Sequence, residues 1–349
     1  MTLDDLPRLA VVHVVVTDVF AGVERYVCQV GNALSARGHM VTTIGGDHER
    51  MRVELDSSIP NRPANTLIQA AHALIGERGA DIVHLHMTSA EGAAWLARPW
   101  QRAPLVATRH FARDRGSSAP ARLLARITSR SISQDVAISQ YVVDRISGPS
   151  VLIPSGVPDQ LQAELRSATV LMLQRLESEK APDVGIRAWS ASGLGADGWR
   201  LVIAGDGAMQ PSLAALVHDL GVTDSVTFLG HVTDTSSLLA GSSVLLAPGP
   251  EDSFGLSVVE AMAHGVPVVA ARGGANLETV GNDGVLFTPG DGAAAAEALR
   301  RLCCDRSLRL RVGVGLRERQ QRMFSVGRHV ERLEVLYRQV IDEPGRHAH

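Results

Sequence analysis

The residues with the clearest chemical potential lie between Pro250 and Gly265, after an apolar run that ends at Leu246. Their order predicts a strand, an acidic loop and a short helix. Ser257 is suited to cap the start of this helix, and Gly265 is suited to the left-handed position just past its end. Pro267 then prevents the helix from continuing, so the predicted helix is short and has defined ends.

The first turn of this helix is suited to bind an anion. The free N–H groups near Gly255, Leu256 and Ser257, together with the positive end of the helix dipole, attract a phosphate group. Glu260 follows within or just beyond the first turn, where its carboxylate can accept hydrogen bonds from a vicinal diol such as a ribose. A plainer interpretation, a glutamate that only favours the helix start, stays open.

Two cations stand five residues apart where another predicted strand ends. The strand spans 169–174, and Arg175 and Lys180 follow it. A guanidinium and an ammonium could bind a diphosphate leaving group and replace the divalent metal that such a group otherwise needs. The alternative is a solvated pair of cations that bridges to Glu177 or Glu179.

Glycines follow two further predicted strands. Gly205 and Asp206 lie in a segment that resembles a dinucleotide fingerprint, but Gln210 occupies the position of its third glycine. A tight turn is therefore favoured, and a nicotinamide-dependent dehydrogenase is disfavoured. Gly22 opens a helix after the first strand, where it is either a plain turn residue or a point of close approach to a phosphate or sugar.

Three histidines could carry chemistry. His110 comes directly after a strand at 104–108, where an imidazole could hydrogen-bond a sugar hydroxyl or position a second substrate. His84 and His86 share one face of a strand, which permits a metal site in principle. No nearby carboxylate or cysteine completes such a site, so buried structural histidines are favoured and no metal is predicted.

One predicted helix is locally basic, and it carries leucines and an isoleucine among its arginines. Arg122, Arg126 and Arg130 recur at helical spacing. This face could contact an anionic membrane or an anionic acceptor. A solvated amphipathic helix that packs on its sheet is the alternative.

The elements that must position these residues alternate between short apolar runs and longer helical patterns, which is typical of parallel βα units. Strands are expected at 10–16, 40–44, 81–85, 104–108, 135–138, 151–153, 169–174, 200–204, 225–228, 243–246, 267–270 and 284–287. The pattern predicts an α/β protein with two doubly wound, Rossmann-like domains. They would meet near residue 160, after the turn residues of Ile153–Pro158, and would bind a ligand in the cleft between them.

Bulk composition narrows the class of protein. The chain has 349 residues, 45% of them hydrophobic, and a formal charge of -3, which gives no global reason to bind nucleic acid. The apolar run from Leu9 to Val16 is too short to span a bilayer, and three cysteines offer neither a disulfide framework nor a CxxC metal pattern. A cytoplasmic protein, with contact to a membrane at most peripheral, is expected.

Taken together and in this order, these motifs resemble family 4 of the retaining glycosyltransferases, which have the GT-B fold. The family's hallmark is a pair of glutamates separated by seven residues around a Phe-Gly-Leu sequence. Glu260 holds the second position and Asp252 the first. Because an aspartate reaches less far than a glutamate, Glu251 is an alternative partner for the donor sugar.

The resemblance assigns roles to the other residues. Arg175 and Lys180 would neutralise the donor diphosphate, and His110 would be the active-site histidine of the first domain. The donor-binding set would comprise Gly22, Gly205, Asp206, Glu251, Phe254, Gly255, Leu256, Ser257 and Glu260. The segment from Ala271 to Glu278 is similar to the family's later glycine-rich segment. Ala21, Ser257 and Leu277 depart from the family pattern, which has glycine at the first of these positions and usually proline at the other two.

The resemblance implies the reaction and the domain roles. A sugar would pass with retention from a nucleoside-diphosphate donor, UDP-sugar favoured and GDP-sugar possible, to a hydroxyl of a small-molecule, glycan or lipid-linked acceptor, without a metal cofactor. Residues 1–160 would bind the acceptor, 161–325 the donor, and 326–349 would form a crossover helix and tail. A sugar-nucleotide epimerase of similar fold and an inactive nucleotide-sugar-binding partner subunit are the alternatives.

Overall fold

A computed structural model of the chain describes residues 7–116, 119–165 and 167–342. Its contacts divide the chain into two units. Unit 1 comprises the chain up to Gly156 together with the segment that begins at Val326, and unit 2 comprises Val157–Ser325. The last segment of the chain thus belongs to the same unit as the first.

Each unit is built on a parallel sheet. The strands of unit 1 are Ala10–Val15 (β1), Met40–Gly45 (β2), Asn61–Arg62 (β3), Ile82–His86 (β4), Leu105–Arg109 (β5), Gln134–Ala137 (β6) and Val151–Leu152 (β7). Those of unit 2 are Thr169–Leu173 (β8), Arg200–Ala204 (β9), Val226–Gly230 (β10), Val244–Ala247 (β11), Val268–Ala271 (β12) and Val285–Phe287 (β13). The spatial orders are β3-β2-β1-β4-β5-β6-β7 and β10-β9-β8-β11-β12-β13.

The helices alternate with these strands along the chain. They are Gly22–Ala36 (α1), His48–Glu54 (α2), Leu67–Gly76 (α3), Met87–Ala97 (α4), Ala119–Ser129 (α5), Gln140–Val143 (α6), Pro182–Ser192 (α7), Gln210–Asp219 (α8), Thr235–Ala240 (α9), Leu256–Ala263 (α10), Asn276–Thr279 (α11), Gly292–Cys304 (α12), Arg306–Met323 (α13) and Val326–Asp342 (α14). The alternation in both units confirms the predicted pair of doubly wound, Rossmann-like domains.

Most strands are buried on both faces of their sheet, and their sequences therefore form apolar runs that predict a strand. The central strands β8 and β11 carry continuous apolar runs with Leu171, Met172 and Leu245 almost fully buried, as parallel sheets covered by helices require. β3 was not predicted, because its two polar residues at the sheet edge carry no hydrophobic pattern.

The helix α14 completes the core of unit 1. Val330, Leu333 and Tyr337 recur at a spacing of three and four residues, which puts them on one face of a helix. All three are fully buried and pack with Val27 and Leu34 of α1.

Two surface features bear on the membrane question. None of the helices within the described ranges combines the length and the apolar character needed to cross a bilayer. On α5, however, Leu123 and Ile127 are 63% and 41% exposed, whereas Ala125 and Thr128 are buried. The helix thus has an inward face, as the amphipathic alternative expects, and two apolar side chains that remain partly exposed.

Candidate active site

The loops that follow β8 and β11 bring the predicted phosphate-binding lysine to the acidic segment. These strands are neighbours in a parallel sheet, so their carboxyl ends open on the same edge. The loop after β8 forms one 3-10 turn at Ser178–Lys180, and the Nζ atom of Lys180 donates to Oδ2 of Asp252 at 2.7 Å. Both side chains are about one fifth exposed, at 18% and 25%. The pair is thus shielded from bulk water but open to a ligand.

Lys180 has a further distinction in the sequence. It is the only lysine among 349 residues, whereas the other basic side chains apart from histidine are arginines. A lysine ammonium is a compact point charge on a flexible stem, and a planar guanidinium does not replace it geometrically. The use of a lysine at this position alone points to a specific role for its ammonium group, and the spacing of motifs does not reveal that.

The second carboxylate oxygen of Asp252 organises the start of α10. The N–H of Gly255 donates to Oδ1 of Asp252 at 3.0 Å. Gly255 is the N-cap of α10 and has a φ of 75°, a left-handed conformation that favours glycine. The expectation that Ser257 caps this helix is wrong, because the helix begins at Leu256 and Ser257 is its second residue. Gly255 itself is the N-cap, and the Asp252 carboxylate holds the backbone of that residue in place.

The remaining residues of this segment differ in what they offer. Phe254 is buried and packs edge-on against Phe324 with ring centroids 5.8 Å apart, so its side chain anchors the loop. Glu251 is exposed, and Glu260 is half-buried in the second turn of α10. At the other end of the helix, Gly265 has a φ of 69°, which agrees with its predicted left-handed position.

A second glycine loop supports the acidic loop from behind. A side chain at Gly273 would approach the Pro250 carbonyl oxygen to 2.5 Å, and one at Gly274 would approach the Asp252 nitrogen to 2.6 Å. The Ala275 N–H also donates to the Asp252 carbonyl at 2.8 Å. The glycines of the Ala271–Glu278 segment therefore serve close packing beneath Asp252.

Asn276 adds a support that sequence reasoning missed. Its buried side chain donates to the carbonyl oxygens of Gly249 and Ala271, and its Oδ1 has no hydrogen-bond partner among the described residues. Its position follows from the fold of the two loops and not from any motif.

Arg175 lies on the more open side of the same edge. Its side chain is 63% exposed and forms an i,i+4 ion pair with Glu179, with Nη2 and Oε1 2.8 Å apart. Gly205 and Asp206 hold the loop that carries it: a side chain at Gly205 would collide with the Gln174 carbonyl, and the Asp206 carbonyl accepts from the Leu176 N–H at 2.7 Å. These two residues shape the loop through their backbones.

The predicted site residues of unit 1 are Gly22 and His110. Gly22 is the exposed first residue of α1. The N–H of Ala21 before it donates to Oε2 of the buried Glu24 at 2.9 Å, and Thr17 donates to the other oxygen of that carboxylate at 2.7 Å. A glutamate therefore fixes the start of α1, which leaves the Gly22 backbone uncovered.

His110 follows β5 and belongs to a chain of imidazoles. Its Nε2 lies 3.1 Å from Nδ1 of His86, and Nε2 of His86 lies 3.0 Å from Nδ1 of His13. Desolvation by the surrounding protein lowers the pKa of His110 to about 3, and the same cause lowers the pKa of His13 to about 3. His110 is therefore a neutral imidazole at physiological pH.

A second hydrogen-bonded network lies against this chain. His84 contacts Tyr337 Oη through Nδ1 at 2.6 Å and Thr108 Oγ1 through Nε2 at 2.7 Å. His329 of α14 donates from Nδ1 to the Pro154 carbonyl at 2.7 Å, and its Nε2 accepts from Tyr26 Oη at 2.7 Å. Sequence reasoning missed His13, Tyr26 and His329. His13 lies beside His84 in the register of β1 and β4, and only that register shows that His13 belongs to the cluster.

The chemistry of this cluster permits a metal only at a cost. One nitrogen each from His13, His84 and His86 lies within 4.8 Å of the others, and neutral imidazoles are common metal ligands. However, hydrogen bonds already engage Nδ1 of His13 and both ring nitrogens of His84 and His86. A metal would have to break several of them.

Arg115, which precedes the predicted basic helix in the sequence, is a structural residue. Its guanidinium donates to Glu91 at 2.8 and 2.6 Å and also binds Asp135, and all three side chains are largely buried. Arg122, Arg126 and Arg130 are exposed instead. These three are available to an outside anion.

Comparison with known proteins gives matches along most of the chain. Residues 20–161 match Glycosyltransferase Family 4, and residues 167–305 match Glycosyl transferases group 1. A D-inositol 3-phosphate glycosyltransferase of Saccharomonospora viridis is 30% identical over 75% of this chain and 70% of its own length. An exopolysaccharide phosphotransferase of Streptomyces coelicolor is 33% identical over 56% of this chain, which spans only 22% of that protein.

Solved structures share the fold. HepE of Anabaena, crystallised with UDP and glucose, matches with a TM-score of 0.79 and 19% identity over 95% of this chain and all of its own. The motifs, the two parallel-sheet domains and the similarity over most of the chain agree with one another, and the chain belongs to the family 4 glycosyltransferases of group 1, with GT-B-type domains.

Proposed function

We propose that this chain is a retaining glycosyltransferase that moves a sugar from a nucleoside-diphosphate donor to an acceptor hydroxyl. A UDP-sugar is the favoured donor and a GDP-sugar the alternative. One observation carries the proposal: the only lysine in the chain, an acidic loop and a glycine-started helix converge at the carboxyl ends of β8 and β11. The complex of HepE with UDP and glucose supports the choice of donor.

The diphosphate would bind to fixed positive groups of unit 2. The first amides of α10 have no intrahelical partner, so they can donate to a phosphate at the positive end of the helix dipole. Lys180 would add a full charge beside them. Arg175 would join after leaving Glu179, which is easy because an exposed ion pair contributes at most about 1 kcal/mol. These cations would make a metal unnecessary.

The chemistry would then depend on leaving-group stabilisation. The bond between the anomeric carbon and the diphosphate oxygen breaks, and the acceptor oxygen bonds to the same face of the sugar. The acceptor's proton passes to an oxygen of the departing diphosphate. The configuration is retained because the new bond forms on the face that the diphosphate leaves. Because charge develops on the diphosphate, the groups that bind it stabilise the transition state more than the bound donor.

The structure bears on which acid meets the donor sugar. Asp252 already uses one oxygen for Lys180 and the other for the Gly255 N–H. Glu251 is exposed and adjacent. In this proposal Asp252 orients the phosphate-binding lysine, and Glu251 is the acid with free acceptor capacity for sugar hydroxyls.

A secondary proposal concerns the exposed face of α5, which we define by Arg122, Leu123, Arg126 and Ile127 together with Arg130 directly after the helix. Two exposed apolar side chains lie among three exposed arginines. This combination suits an anionic lipid surface, where the arginines bind headgroups and the apolar side chains enter the interface. Contact would be peripheral and would bring the enzyme to a lipid-linked acceptor.

The test of the main proposal is a binding screen followed by turnover. Thermal shifts with a panel of nucleotide sugars should identify at least one donor, and release of nucleoside diphosphate with a panel of acceptors should continue in EDTA. Release without an acceptor and with an isomerised sugar would identify an epimerase. Binding of a donor without any turnover would indicate an inactive partner subunit, and loss of activity in EDTA would contradict metal independence.

A further inference from the structure

Three imidazoles form a continuous hydrogen-bonded chain that ends at the candidate active-site histidine. It runs from His13 on β1 through His86 at the end of β4 to His110 after β5, with N···N distances of 3.0 and 3.1 Å. His13 and His86 are completely buried, whereas His110 is partly exposed. The chain therefore leads from the core of unit 1 to its surface.

The protonation of one member of this chain constrains the others. Burial lowers the pKa of all three histidines, so each is neutral and carries one N–H donor and one acceptor nitrogen. If Nδ1 of His86 donates to His110, then Nε2 of His86 must accept from His13. Only two arrangements are therefore possible, one with both N–H groups pointing outward and one with both pointing inward.

The unpaired end of the chain selects between them. Nε2 of His13 is buried and has no hydrogen-bond partner among the described residues. The inward arrangement would put an N–H on that atom, and the outward arrangement leaves a lone pair there. A buried N–H without an acceptor is the rarer and costlier state. The outward arrangement is favoured, and it leaves His110 with its proton on Nδ1.

The surroundings hold the His110 ring in one orientation. The ring of Tyr26 lies edge-on to His110 and to His86, with centroid distances of 4.9 and 5.5 Å. Tyr26 is itself fixed, because it donates to His329, whose other nitrogen is bound to the Pro154 carbonyl. Nδ1 of His110 has no hydrogen bond among the described residues and is not one of the buried unpaired atoms, so this nitrogen is accessible to solvent.

We propose that His86, held by His13, is a positioning residue that fixes His110 as its Nδ1–H tautomer and thereby presents a hydrogen-bond donor to a hydroxyl of a substrate that unit 1 binds. The role of the outward N–H rests on the proposed glycosyltransferase function. The tautomer itself does not, because it follows from the contacts within unit 1.

The tautomer can be measured without any substrate. Two-dimensional NMR that correlates the ring protons and nitrogens of ¹⁵N-labelled histidine should show His110 with a protonated Nδ1 and an unprotonated Nε2. In His86→Leu that signature should shift toward the Nε2–H tautomer, which a free histidine side chain prefers in water. In His86→Asn, whose amide N–H can replace the Nδ1 donor, the wild-type signature should persist. His39→Leu is the matched control, since His39 is a buried histidine of unit 1 that pairs with Glu334 and does not belong to the hydrogen-bonded series of imidazoles.

Kinetics then test the functional half. With an active donor and acceptor pair, His86→Leu should lower kcat/KM about tenfold, and His86→Asn should recover most of that loss. His39→Leu should leave the value near that of wild type. A wild-type His110 protonated on Nε2, or a tautomer that does not respond to His86→Leu, would overturn the inference even if the enzyme transfers sugar.

Two further outcomes separate the possibilities. If the tautomer depends on His86 but wild type transfers no sugar to any acceptor, the proposed function fails and the structural half of the inference stands. If the purified protein carries one equivalent of a transition metal that is lost in His13→Gln, the ring nitrogens bind that metal and the inference is wrong.

Discussion

The Nζ atom of Lys180 lies 2.7 Å from Oδ2 of Asp252, and this ammonium belongs to the only lysine of the chain. We expect Lys180→Ala to lower kcat by about 10²-fold or more, because loss of one preorganised group that stabilises developing charge has that effect in other enzymes. Lys180→Arg should recover little, since a planar guanidinium does not fit the place of a compact ammonium. Steady-state assays with circular dichroism as a check of folding would measure both, and a kcat near that of wild type in Lys180→Ala would remove the residue from the mechanism.

The same residue permits a selective chemical test. An amine-acylating reagent has only the terminal α-amino group and Lys180 as targets in this chain. UDP or GDP, whichever binds, should slow the acylation of Lys180 at least tenfold, as followed by peptide mass spectrometry. The parent nucleoside without phosphates is the control and should not protect. Equal rates with and without the nucleoside diphosphate would show that the diphosphate binds elsewhere.

Separate substitutions should distinguish the roles of Glu251 and Asp252. Glu251→Gln should raise the KM for the donor and leave the thermal midpoint unchanged, because the side chain is exposed. Asp252→Ala should lower kcat and stability together, because it frees Lys180 and removes the acceptor of the Gly255 N–H, and a hydrogen bond to a charged group contributes about 1.5–3 kcal/mol. If Asp252→Ala changed only the KM and Glu251→Gln changed nothing, Asp252 would be the acid that meets the sugar.

The buried histidines of unit 1 should make it sensitive to acid. Burial lowers the pKa of His13 to about 3 and of His329 to about 4, from the ordinary 6.5. Between these values the unfolded chain binds more protons than the folded one. The stabilisation is therefore present above pH 6.5 and is lost as the pH falls, by up to about 1.4 kcal/mol per pH unit for each such histidine.

Thermal unfolding from pH 7.5 to 5.0 would test this. The midpoint should fall steeply below pH 6.5, and His329→Gln should reduce the slope, whereas the 85% exposed His218 is the control and His218→Gln should not. A midpoint that stays constant over this range would contradict neutral burial of the cluster.

The exposed face of α5 should bind anionic vesicles. We expect co-sedimentation with vesicles of phosphatidylglycerol and phosphatidylcholine but not with phosphatidylcholine alone. Leu123→Ser should weaken that binding about tenfold, because burial of a leucine side chain contributes about 1.5–3 kcal/mol. Trp100→Ser, at a 54% exposed apolar residue outside α5, is the matched control. Equal binding to both lipid mixtures would show that the arginines do not contribute to vesicle binding.

The sequence predicted what depends on local pattern. The ends of α10 show this limit well. Gly265 and Pro267 mark its end through backbone preferences that belong to those residues alone. Its start at Gly255 depends on the preceding loop, which turns back so that the Asp252 carboxylate accepts from the Gly255 N–H. The sequence pattern does not show this turn, and the expected cap at Ser257 is wrong for that reason.

What the sequence did not reveal depends on register and on contacts between distant segments. His13 meets His84 because β1 and β4 are neighbours with a particular pairing, which no local pattern encodes. Arg115 resembles its basic neighbours in the sequence, but its charge is neutralised by Glu91 and Asp135 from two other elements. The roles of Gly22, Arg175, Glu260 and the other proposed site residues stay predictions.

The helix α14 follows the whole of unit 2 in the chain, and yet its buried face, with Leu333 and Tyr337, is part of the core of unit 1. During synthesis the ribosome would therefore release all of unit 2 before it releases the segment that unit 1 needs. Unit 1 is synthesised first but cannot complete its core, so part of its apolar surface stays exposed while unit 2 folds. Chaperone demand on this protein is thus expected to fall on its earliest-made strands, and a ribosome that stalls before Val326 would leave them without a stable partner.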